Sequence, residues 1–190
     1  MITIHKIVIR SLYMVLVVAA AAFSSCTNAP AGGPGSTTTN SVGAPTGTSV
    51  DGKVRTASLN DKNHLSSANV PGTNNGRLAC AWAVNHVVTD GLGHPVGGGL
   101  STAEMADALN SGRGHLVSLE SAPSGCIIIS PTTGPIVGHV GILMDGSGPS
   151  RRIYSNSSAN ALYMDNFSVQ QWNDYFKGKG LSVLVYELNN

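Results

Sequence analysis

Charge of either sign is scarce in this chain of 190 residues, which carries 11 Lys and Arg against 10 Asp and Glu. Without a basic excess there is nothing to neutralise a phosphate backbone, and a nucleic-acid footprint is excluded. The apolar stretch from Leu12 to Phe23 falls short of the roughly 20 residues that a membrane-spanning helix needs. Cysteine is limited to Cys26, Cys80 and Cys126, and no internal repeat is visible. What remains, with 23 glycines and nine prolines, is room for one modest domain and an unstructured part.

The first residues supply that apolar stretch with a purpose. Lys6 and Arg10 precede it and Ser24-Ser25-Cys26 follows, the order of charged region, apolar region and small-residue cleavage site in an export signal. Residues 1–25 are therefore expected to be absent from the mature protein. Without Lys6 and Arg10, nine basic residues stand against ten acidic ones.

From Cys26 to about residue 63 the chain is rich in Ala, Gly, Pro, Ser, Thr and Asn. Such a composition buries too little apolar surface to offset chain entropy and predicts a flexible tether over 26–63. The domain is then expected over 64–190, where Trp82, Trp172 and most other aromatic residues fall.

Within that span, Leu78 to Thr89 is almost wholly apolar and is closed by Asp90-Gly91, which predicts a buried helix. Ser101-Thr102-Ala103-Glu104 is a capping-box signature ahead of a second helix reaching Leu109. Cys126 to Ile129, Val137 to Met144, Ile153 to Ser155 and Leu181 to Leu188 are rich in β-branched residues and bounded by turn residues, hence strands of one antiparallel sheet. Ser168 to Gln171 is another capping box, with Phe167 placed to staple against Trp172. The fold class is α+β, the early helix packing on the sheet.

Two residues stand out chemically. Cys80 lies in the first turn of the buried helix after the polar turn Asn74-Asn75-Gly76, where free N–H groups and the helix dipole favour a thiolate. An apolar helix is equally a home for an inert core thiol, and an exported compartment also permits a Cys80–Cys126 disulfide. His139 sits between glycines in Gly138-His139-Val140-Gly141, with space for an imidazole and for close approach of a backbone. His86, six residues from Cys80, faces elsewhere on the helix, and His94 and His115 fall in Gly-rich turns. A Cys–His pair needs a third group to orient the ring. Asn156, at the end of the next strand, is the first choice, with Asp145 and Asp165 as alternatives. Asn75 and Arg77 are candidates for oxyanion or substrate contact alongside the Cys80 amide. Ser155, Ser157 and Ser158 read mainly as hydrogen-bonding residues at a strand end, Ser155 also as a substrate contact, and Trp82 as core.

The segments LACAWAVNHV, GHVGILM and RIYSNSSANAL resemble, in this order, the nucleophile helix, the His strand and the polar strand of NlpC-like and CHAP-like cell-wall hydrolases, over about residues 70–190. Ser121 to Ile127 is similar to that family's turn into the strand before the His strand, with Cys126 at a usually acidic position and therefore structural. The resemblance implies a papain-like fold and a Cys80–His139–Asn156 site, with Asn156 nearer CHAP-like usage. The junction Ala22-Phe23-Ser24-Ser25-Cys26 resembles the lipobox of bacterial lipoproteins. It implies lipidation at Cys26, with cleavage near Ser25 to give a soluble exported protein as the alternative. Thr27 resembles outer-membrane sorting.

Together these expectations describe a monomeric exported hydrolase, lipid-anchored in the bacterial envelope (periplasm, outer membrane or cell surface). It cleaves amide bonds in peptidoglycan peptides without a metal or other cofactor. The competing expectation is a non-enzymatic envelope or wall-binding module in which Cys80 is a packed core residue. A third is acyl transfer or trimming on a protein partner, since a fold does not settle its substrate.

Overall fold

The computed structural model describes residues 47–190. The export signal expected over 1–25, Cys26 and the expected tether up to residue 46 lie outside the described residues. Among the described residues, four α-helices flank one six-stranded antiparallel sheet of strand order β1-β6-β2-β3-β4-β5. The architecture is α+β, and no helix among the described residues is long and apolar enough to cross a membrane.

The tether expected over 26–63 gives way to structure at its C-terminal end. Helix α1, Val50–Asp61, starts at Ser49, whose side chain accepts the Gly52 N–H as an N-cap. Val50, Val54 and Ala57 recur at helical spacing and join the core. Ser58 shares a 2.7 Å hydrogen bond with the buried Tyr163 hydroxyl. The apolar signal was thin because these buried residues are small and few.

Helix α2, Cys80–Leu92, begins two residues later than expected and ends on Gly93, whose φ of 81° forms the left-handed C-cap. Helix α3, Thr102–Ala108, is capped by Ser101 as its sequence predicts. Strands β1 (Gly114–Leu116), β2 (Ile127–Ser130), β3 (His139–Leu143), β4 (Arg152–Ser157), β5 (Leu162–Ser168) and β6 (Leu184–Leu188) complete the sheet. Helix α4, Val169–Gly178, carries both bonds of the Ser168/Gln171 capping box. Phe167 meets Trp172 edge-on at 5.4 Å, the hydrophobic staple.

The sheet is covered on both sides. Ile127, Ile129, Val140 and Ile142 face a cluster containing α2, while Ile128, Leu143 and Ile153 face one built around Trp172 and Phe176 of α4. Alternation along each strand assigns neighbouring residues to opposite clusters. The two glycines around His139 serve backbone contact: a Cβ on Gly138 would stand 2.0 Å from the Ser130 carbonyl oxygen, and one on Gly141 would stand 2.7 Å from the Ile153 side chain. They permit strand packing and do not open a space for the imidazole.

A chain beginning at residue 62 should lose at least about 2 kcal/mol of stability, the worth of burying one valine such as Val54. Urea unfolding of the two chain lengths measures this, and equal midpoints would show that α1 adds nothing.

Candidate functional site

Cys80 is the first residue of α2, and its side chain belongs to the cluster on the α2 side of the sheet. Burial pushes its thiol pKa up, against the backbone N–H groups of Val140, Ala81 and Cys80 itself, which favour the thiolate. The helix start does supply amides to the sulfur, as the sequence predicts. Desolvation outweighs them.

His139 opens β3 and is 8% exposed. Its ring lies among Phe167, Trp172 and Phe176 at centroid distances of 5.7, 5.4 and 5.9 Å. Its Nε2 is 3.1 Å from the Ser155 hydroxyl, and Asn166 Nδ2 donates to the same oxygen at 3.0 Å. Burial lowers its pKa to about 4, so the ring is neutral at pH 7.

These placements correct the expected triad. Val140, not His139, takes the position on β3 that faces Cys80, because side chains alternate across a strand. The imidazole packs in the opposite cluster and shares no hydrogen bond with the thiol. Asn156 does not orient it either. Its Nδ2 donates to the Gly76 carbonyl at 2.7 Å and its Oδ1 accepts from Ser67 at 2.6 Å. Asn156 thus braces the loop leading into Cys80 from the sheet side, while Ser155 and Asn166 hold His139.

The alternatives for the third residue are engaged elsewhere: Asp145 pairs with Arg55, and Asp165 accepts from Arg152 at 2.7 Å. Asn75 and Arg77 are exposed in the loop before Cys80, Asn75 in the left-handed region at φ 55°. The Ser158 hydroxyl donates to the Arg77 carbonyl at 2.8 Å. Trp82 is half-buried against the α2-side cluster. Cys80 and Cys126 are both free thiols in separate clusters, so no disulfide joins them. Cys126 is fully buried beside the Asp51 carboxyl, 3.9 Å away.

The sequence reading missed Asn166 because β5 was not recognised. Only Tyr163 in that strand is fully buried, and an alternation this weak leaves little period-two signal. A polar residue next to Phe167, itself the staple partner of Trp172, was the available clue.

No protein-family model matches this chain, and no curated protein matches it either.

The low His139 pKa has a defined consequence. The unfolded chain, with an ordinary histidine near 6.5, takes up the proton first. The stability that the neutral ring contributes is therefore complete above pH 6.5 and is lost as pH falls towards 4. In an NMR titration of the folded protein, the His139 ring resonances should remain those of neutral imidazole at pH 5.5. A midpoint near 6.5 would contradict the buried placement.

Proposed function

We propose that the domain is a thiol-dependent amide hydrolase with Cys80 as nucleophile, acting on the peptide part of peptidoglycan. The observation that carries the reading is the seat of Cys80: the first residue of a helix, with backbone N–H groups turned to the sulfur, one of them from Val140, the residue after His139. The exposed loop containing Asn75 and Arg77 borders that helix start. Resemblance of the Cys80, His139 and Asn156 segments to papain-like cell-wall hydrolases supports the substrate class. The export signal and the lipobox-like junction at Cys26 support placement in the envelope.

In this reading the Cys80 thiol loses its proton and the thiolate attacks an amide carbonyl to form a thioester. The amine leaves with the proton, and water then releases the acid. The Cys80 N–H and its neighbours at the helix start would hold the oxyanion.

A second reading is favoured by one specific observation, the enclosure of His139 by three aromatic rings and Ser155. In it the domain is a non-catalytic envelope or wall-binding module, and Cys80 and His139 are packing residues of two opposed cores.

Digestion of purified peptidoglycan by the wild type and Cys80→Ala separates the two. The hydrolase reading expects soluble peptide fragments from the wild type, with a loss of at least about 10³-fold in Cys80→Ala. Binding of the wild type to peptidoglycan without any fragment release would establish the module instead. Iodoacetamide labelling adds a second measurement. With its pKa raised, Cys80 should react more slowly at pH 7 than an ordinary thiol and accelerate as the pH rises. Rapid labelling at pH 7 would contradict the buried thiol.

A further inference from the structure

A second group of chemically able side chains lies on the face formed by α1 and α2. His86 and Asp90 stand one turn apart on α2, with Nε2 and Oδ2 separated by 3.6 Å. Asp61 closes α1, and one ligand atom from each of the three residues lies within 4.8 Å of the others. Ligands about 2.0–2.2 Å from a tetrahedral metal are roughly 3.3–3.6 Å apart. The His86–Asp90 pair already meets that spacing, and Asp61 has on the order of 1 Å to travel.

Asp61 supplies an independent observation. Its Oδ2 is shielded from solvent and has no hydrogen-bond partner, a costly state for a carboxylate oxygen that a bound cation relieves. Burial and the neighbouring Asp90 carboxylate push the Asp61 pKa up, while His86 and His64 act the other way. The carbonyl end of α1 adds partial negative charge at the same place. A cavity of about 250 Å³ adjoins Asp61 and Asp90 and is also lined by Lys53 and Asn60. The two carboxylates outweigh the single positive charge of Lys53, and the cavity has room for the water that would complete a coordination shell.

We propose that Asp61, His86 and Asp90 form a binding site for one divalent cation of the zinc class. The ligand set decides the class: an imidazole with two carboxylates suits zinc, whereas magnesium and calcium take shells of oxygen. The site is separate from Cys80 and His139 and does not depend on the hydrolase reading.

Calorimetric titration of the chelator-stripped protein with zinc chloride tests it. The expected result is one saturable equivalent, weakened at least about 10-fold in His86→Gln and in Asp90→Asn and unchanged in Cys80→Ser. His86 and Asp90 are exposed, so both variants should keep the wild-type circular dichroism. Trp82, whose ring is 5.4 Å from that of His86, gives a second readout: cobalt should quench its fluorescence in the wild type and not in His86→Gln. Absence of saturable binding up to millimolar zinc would overturn the proposal. So would an affinity that survives both helix substitutions, or one that is lost in Cys80→Ser.

Discussion

Burial of strand β3 on both faces is the constraint on which the rest of the structure depends. Each of its five residues is buried, so every side chain is committed to one of two cores. Val140 and Ile142 close the core under α2, and Leu143 closes the core under α4. His139 goes with the second set because the backbone leaves no third direction. The depressed imidazole pKa, the Ser155–Asn166 hydrogen bonds and the raised Cys80 pKa all follow from that partition. Polar groups inside a two-sided sheet must be answered locally, and Ser155 and Asn166 answer His139.

Much of this arrangement was legible in the sequence wherever a local rule acted alone. Capping residues Ser101 and Ser168 announced α3 and α4, and the Phe167–Trp172 staple emerged as its spacing implied. The apolar run around Cys80 placed α2 to within two residues at its start. Legibility failed where burial was achieved with small or polar side chains. Helix α1 packs through Val54 and Ala57, and β5 carries Asp165 and Asn166 on a strand with one fully buried residue.

The site was legible as a set of residues and not as an arrangement. Cys80, His139, Ser155 and Asn156 do lie on adjoining elements, yet they divide between the two sides of the sheet. Sequence spacing can bring a histidine to the start of the strand next to a nucleophile helix. It cannot say which side of that strand the ring takes, because an offset of one residue reverses the answer. Asn156 shows the same limit: its place on β4 was anticipated, but its amide serves the Gly76 loop instead of the imidazole.

The close backbone contacts at Gly138 bear on how such a domain can change over evolutionary time. A side chain there would collide with the Ser130 carbonyl, so substitution at this hinge is closed while the present register persists. A single-residue insertion between His139 and Val140 that left the rest of β3 in register would turn the imidazole to the Cys80 side while Val140, Ile142 and Leu143 kept their present cores. A histidine packed away from the thiol and one facing it are therefore separated by one step in chain length, and neither helix nor any other strand would have to be rebuilt to cross it.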